Sequence, residues 1–180
     1  MEIENKIPKS CKVVVIGGGV AGCSTAYHLA KFGWKDTVLL ERDVLTSGTT
    51  WHAAGLIGQL GSSATITKLR NYSLNLYKRL EEETGLSTGL KQNGSLTVAT
   101  TLDRLEELKR QLTFAQRFDI EARQVSNEEI KEIYPLINTE DLVGGVFIKK
   151  DGQADPVGVA NVIAKAARQN GASIIETCTV

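Results

Sequence analysis

The sequence predicts an α/β protein, a Rossmann-like βαβ unit that runs on into a mixed sheet, and three observations carry that prediction. An unbroken β-branched run at 12–16 stops at a glycine cluster, a segment with helical periodicity follows at 20–32, and Thr37, Val38, Leu39 and Leu40 read as a second buried strand. Strand, helix and strand within about 30 residues make a βαβ unit, whose crossover is almost always right-handed.

The first strand reads as buried on both faces, because Val13, Val14, Val15 and Ile16 show no polar alternation. In the helix after it, Ala21, Ala26, Leu29 and Ala30 can face a sheet, and Gly33 terminates the run. The second strand ends at Glu41. Farther on, Ile66, Leu69, Tyr72 or Ser73, Leu76 and Leu80 recur at helical spacing up to Gly85, which predicts an amphipathic helix over 64–84.

A strand is expected at 95–99, and Leu105, Leu108, Leu112 and Ala115 mark a helix over 102–118 that is too short for a heptad seam. Residues 120–125 read as a strand. Ser126 with Glu129 three residues later has the form of a capping box, opening a short helix that ends before Pro135. After a strand at 146–148, Asp155 stands as N-cap with Pro156 first in a helix over 156–170, and Gly171 follows its last turn. The final stretch, 172–180, reads as a strand with no turn residue behind it. From that ending the chain is expected to be an incomplete portion of a longer protein and a poor enzyme alone.

With 21 basic and 21 acidic residues in 180 the net charge is zero, so no basic surplus serves phosphates, and nucleic acid or an anionic membrane is not an expected partner. The longest apolar run is only 13–16, where a bilayer span needs about 20 residues. Cys11, Cys23 and Cys178 form no CxxC pair, which argues against a disulfide scaffold or a zinc site and fits a reducing compartment. The opening residues show neither an apolar signal region nor an Arg/Ser-rich presequence, so a cytoplasmic location is expected, or the mitochondrial matrix in a eukaryote.

Gly17, Gly19 and Gly22 stand as G-x-G-x-x-G directly after a strand and directly before a helix. Gly17 permits the tight turn, Gly19 lets backbone approach a pyrophosphate, and Gly22 lets helix and strand pack closely. The diphosphate is expected at the helix N-terminus, where unpaired N–H groups and the helix dipole favour negative charge. Glu41, at the end of the second strand, is placed to accept hydrogen bonds from an adenosine ribose and to repel a 2′-phosphate, which favours FAD or NAD over NADP.

After Glu41 comes Arg42, then a stretch of hydroxyls and small residues running to Gly55. Arg42, Ser47, Thr49 and Thr50 are candidate cofactor contacts there, the hydroxyls completing a diphosphate cradle from the other side. His52 follows Trp51, which reads as a wall to a flat ring or as a core residue. His28 reads as a helix-surface residue, and Asp155 as a structural cap.

The blocks VVVIGGGVAG, TVLLERDVLTSGTTWHAAGL, LYKRLEEETG, QNGSLTVATT, IYPLIN and DGQADP span nearly the whole chain. In them the sequence resembles the FAD-dependent amine oxidoreductases of the D-amino-acid oxidase type, specifically the dimethylglycine dehydrogenase and sarcosine dehydrogenase group. The resemblance implies FAD as cofactor and places covalent flavin attachment on His52, whose neutral imidazole nitrogen is a competent nucleophile. It implies oxidation of a small N-methylated glycine, with electrons passing to an electron-transfer flavoprotein or to oxygen, and a possible tetrahydrofolate acceptor for the one-carbon unit.

By the same resemblance, 11–85 and 151–180 are expected to form an incomplete FAD-binding domain and 86–150 part of a substrate-side domain. No substrate-contacting catalytic residue is assigned. Two other readings stand beside it. One is a non-catalytic regulatory protein on the same fold, resembling the pyruvate dehydrogenase phosphatase regulatory subunit. The other is a nicotinamide dehydrogenase, which has no use for the histidine of TWHAAG.

Overall fold

The computed structural model describes residues 7–180. The chain divides into two compact units: the described residues up to Gly55 with Asn75–Leu90 and Ala154–Val180 form the first, and Leu56–Leu74 with Lys91–Gln153 the second. These boundaries differ from the division at 85 and 151 expected above, in that 56–74 and 151–153 fall in the second unit and 86–90 in the first.

The first unit is built on β1 (Val13–Ile16), helix α1 (Val20–Lys31) and β2 (Thr37–Leu40). β1 and β2 pair in parallel from Val13↔Thr37 to Ile16↔Leu40, and a late strand, β8 (Ser173–Ile175), joins the far side of β2, also in parallel. The sheet order is therefore β1-β2-β8. Helix α5 (Pro156–Gln169) leads into β8 and packs on α1. Their seam is made of small and branched side chains, Cys23, Ala26 and Ala30 on α1 with Val159, Ala160, Ile163 and Ala167 on α5, all buried. Asp155 caps α5 through the amides of Val157 and Gly158, at 3.1 and 3.0 Å.

Four expectations for this unit need correction. β1 is not buried on both faces: Val14 and Ile16 are 50% and 69% exposed, since an unbroken apolar run records hydrophobicity without saying which face is covered. On α1, Ala21 is exposed, and Cys23 and Tyr27 take the buried stripe with Ala26 and Ala30. His28 is half-buried, its Nδ1 2.7 Å from the Ser24 carbonyl oxygen. The last strand stops at Ile175, because Thr177 adopts φ +56° and turns the chain back. The amides of Thr177 and Cys178 then donate to the carbonyls of Asp43 and Glu41, at 2.7 and 2.9 Å.

In the second unit, β4 (Ser95–Ala99), β6 (Gly144–Ile148) and β5 (Ala122–Val125) form an antiparallel sheet in that order, while β3 (Leu56–Ile57) pairs with β7 (Gly152–Gln153). Side chains alternate across β6. Val146 and Ile148 cluster with Leu105, Leu108 and Ala115 of α3 (Leu102–Gln116), while Phe147 packs with Val125 and with Ile130 of α4 (Asn127–Ile133). The capping box at Ser126 and Glu129 is present in both directions. Helix α2 (Ala64–Thr84) starts in this unit, and its residues from Asn75 on belong to the first; along it Thr67, Leu74, Leu76 and Leu80 are buried, whereas Ile66, Leu69 and Tyr72 of the expected stripe are exposed.

Asp151 is the polar centre of this unit. It is 4% exposed, and its carboxylate accepts from the Gln59 amide at 2.8 Å and from Ser95 Oγ at 2.7 Å. It thereby ties three separate stretches of the second unit together. Among the described residues no helix is long and apolar enough to cross a membrane.

Candidate functional site

A cavity of about 400 Å³ lies at the carboxyl ends of the parallel strands of the first unit, reached by Ile16 of β1, Leu40 of β2 and the segment after β8. Open α/β sheets bind ligands at that end, where loops leave the strands and helix N-termini converge. Of the residues singled out above, Gly17, Gly19, Glu41, Arg42, Ser47, Thr49 and Thr50 line it.

The glycine turn has the geometry each position requires. Gly17 has φ +105°, in the left-handed region. A Cβ at Gly22 would stand 1.9 Å from the Gly17 carbonyl oxygen, so nothing larger than glycine fits between helix and turn. Near a Cβ at Gly19 the close atom is Thr50 Oγ1, at 2.9 Å. The Gly17 amide donates to the Leu40 carbonyl at 2.8 Å, closing the turn onto β2. At the start of α1, the Val20 amide donates to Thr50 Oγ1 at 3.0 Å, while Ala21 and Gly22, in the first turn, have no intrahelical carbonyl to bond.

Glu41 is 8% exposed, and its carboxylate accepts from the Gly18 amide at 2.5 Å and the Asp43 amide at 3.0 Å. The Asp43 amide, then that of Gly18, hold the carboxyl below the usual carboxylate range, against the opposing effect of burial. An ionised carboxylate has about four acceptor positions, so two remain for vicinal hydroxyls. Beside it, Arg42 is exposed and ion-paired to Asp43 at 3.3 Å. Beneath the turn, Cys23 donates through Sγ to the Gly18 carbonyl at 3.6 Å, and burial pushes its thiol up to about 11, which makes it a packing residue.

The acceptor pair on Glu41, the unbonded amides at the α1 N-terminus and the bare backbone at Gly19 together fit an adenosine diphosphate moiety. Cys178, Thr179 and Val180 also line the cavity, and the reading of the sequence missed them. The available signal was that they follow a parallel strand placed beside β2, so the chain beyond that strand emerges at the ligand-binding end of the sheet.

His52 ends a 3₁₀ turn, Thr50–His52. Its imidazole is exposed and lies against the Trp51 ring, centroids 3.7 Å apart and tilted by 34°. It does not line the cavity. Trp51 is 55% exposed and therefore not a core residue of this structure.

A parallel sheet with a glycine turn at its carboxyl end, facing a carboxylate on the next strand, defines the class of dinucleotide-binding α/β proteins. Within that class the chain belongs to the FAD dependent oxidoreductase family, whose match runs over residues 12–180. Sarcosine dehydrogenase, mitochondrial, of Homo sapiens is 47% identical over 175 residues, covering 97% of this chain and 19% of that protein. The pyruvate dehydrogenase phosphatase regulatory subunit, mitochondrial, of Mus musculus is 40% identical over 174 residues, covering 97% of this chain and 20% of that one. The chain thus spans about one-fifth of the length of these relatives. Among solved structures, L-proline dehydrogenase from P. horikoshii superposes with a TM-score of 0.87 at 29% identity, over 95% of this chain and 45% of that one. The architecture is accordingly a Rossmann-like FAD-binding unit with an antiparallel sheet region in the middle of the sequence.

Proposed function

We propose that this chain supplies the FAD-holding part of an oxidoreductase that acts on the C–N bond of a small N-methylated glycine, sarcosine or dimethylglycine. The observation that carries the reading is 47% identity to human sarcosine dehydrogenase across 97% of the chain. FAD, when bound, supplies the capacity to accept two electrons from that bond.

Each side chain then has a task. Glu41 accepts from the ribose hydroxyls, and the Gly19 backbone with the first-turn amides of α1 faces the diphosphate. Thr50 takes the Val20 amide on its oxygen and donates its own proton outward, while Ser47 and Thr49 offer further hydroxyls from the exposed loop. Arg42 balances phosphate charge. His52 is the residue of covalent attachment, supported by its place in TWHAAG and by its exposed imidazole. The second unit lies on the substrate side, and an electron-transfer flavoprotein or oxygen removes the electrons. Three free cysteines suit a reducing compartment, cytoplasm or mitochondrial matrix.

A second reading, a regulatory protein on the same fold, draws on the 40% identity to the mouse regulatory subunit. Anaerobic addition of sarcosine or dimethylglycine to the protein expressed from its gene and loaded with FAD separates the two. The oxidoreductase reading expects the flavin's visible band to bleach with one of these amines. Retained FAD that neither amine bleaches contradicts that reading and favours the regulatory one.

A further inference from the structure

Position 18 is one that a G-x-G-x-x-G turn leaves open, and here it holds a buried glycine at which three contacts meet. Its amide donates to Glu41 Oε2 at 2.5 Å. Its carbonyl accepts from the Thr46 amide at 3.0 Å and from Cys23 Sγ at 3.6 Å. Thr46 itself sits at φ +71°, an uncommon conformation for a β-branched residue, so this bond fixes a turn that the loop would not otherwise favour.

A Cβ added at Gly18 would stand 2.6 Å from Leu45 Cδ2 and 2.9 and 3.0 Å from Cβ and Cγ of Glu41. Gly18, unlike Gly17, does not have its φ in the left-handed region. Its neighbours, and not its torsion angles, demand glycine. The nearest part of Glu41 is the root of its side chain, which cannot swing aside without carrying the carboxylate with it.

We infer that Gly18 is a positioning residue for ribose recognition: it seats Glu41 so that the carboxylate keeps its unused acceptor positions at the cavity. The inference rests on the reading of that cavity as a dinucleotide site. It separates two parts of the turn. Gly17, Gly19 and Gly22 shape the backbone for a diphosphate, whereas Gly18 aims the carboxylate that reads the sugar.

Calorimetric titration of the chain prepared free of flavin with ADP and with 2′-deoxy-ADP tests it, since only the first carries the ribose 2′-hydroxyl. The wild-type chain is expected to prefer ADP by about tenfold, the scale of one charge-assisted hydrogen bond. Gly18→Ala is expected to bring the two affinities within about twofold of each other, ADP falling toward the 2′-deoxy value. General damage to the fold weakens both nucleotides alike, so an unchanged tenfold preference in Gly18→Ala overturns the inference. If Gly18→Ala does not fold, the Gly18 amide proton in wild type and Glu41→Gln decides: it is expected far downfield in the first and upfield of that in the second, and an unmoved resonance overturns the inference. A wild-type chain that binds neither nucleotide overturns the dinucleotide reading itself, and this inference with it.

Discussion

The hydroxyl oxygen of Thr50 accepts a 3.0 Å hydrogen bond from the amide of Val20, the first residue of α1, across 30 positions of sequence. One helix-terminal donor is thereby satisfied by a loop side chain, and the hydroxyl proton stays free for an anion at the same helix end. Thr50→Val keeps the shape and removes the acceptor. Its expected cost is about 1 kcal/mol of stability, as for a lost N-cap, together with weaker FAD binding. Thr50→Ser should keep both. Thermal melts and FAD titrations of the two variants check this, and a Thr50→Val protein equal to wild type in both would contradict the assignment.

Glu41 gives a pH signature whose sign follows from its bonds. Two amides stabilise its charged form in the folded protein, so its folded pKa lies below the unfolded value. Its contribution to stability is complete above the ordinary carboxylate range and is lost as pH falls through the lowered pKa. The wild-type melting temperature should therefore drop more steeply on acidification than that of Glu41→Gln, in which the position no longer titrates. Parallel pH profiles would contradict this. Glu41→Ala should also weaken FAD binding by about 1.5 to 3 kcal/mol through loss of a charge-assisted hydrogen bond.

Local signals were legible wherever they are self-contained. The capping box at Ser126 and Glu129, the Asp155–Pro156 helix start and the G-x-G-x-x-G turn each depend on residues a few positions apart, and the structure holds all three. What depends on remote partners was not legible. The exposure of Val14 and Ile16 is decided by what covers β1, and the buried line on α2 runs through Thr67, a residue with no apolar mark in the sequence. The turn at Thr177 carries no glycine or proline to announce it. Likewise Cys178–Val180 reach the site only because β8 docks on β2 from more than a hundred residues away.

Asp151 carries a prediction for the second unit. Asp151→Ala leaves the Gln59 amide and the Ser95 hydroxyl without their acceptor, at an expected cost of about 1 to 3 kcal/mol for the buried Gln59 amide and less for the half-buried Ser95 hydroxyl. Asp151→Asn retains one acceptor oxygen and should cost less. Urea unfolding of both variants measures this, and midpoints equal to wild type would show that the carboxylate does not organise the unit.

For His52 the expected outcome is chemical. Flavin should stay with acid-precipitated protein, and proteolysis should yield a flavin-bearing peptide that contains His52. In His52→Ala the flavin should become extractable while noncovalent binding persists, because the Glu41 and glycine-turn contacts are untouched. Flavin released from the wild-type protein by acid would contradict attachment at this residue.

The cavity at the carboxyl ends of β1 and β2 is tested most directly by equilibrium dialysis of the flavin-free His52→Ala chain, in which no covalent link can form at that residue, against FAD with ADP as competitor. The expected result is one FAD bound per chain, displaced by ADP, with 2′-phosphorylated ADP competing poorly because Glu41 repels the added phosphate. FAD that fails to bind, or that binds and is not displaced by saturating ADP, would contradict the assignment of this cavity to the adenosine diphosphate half of the cofactor.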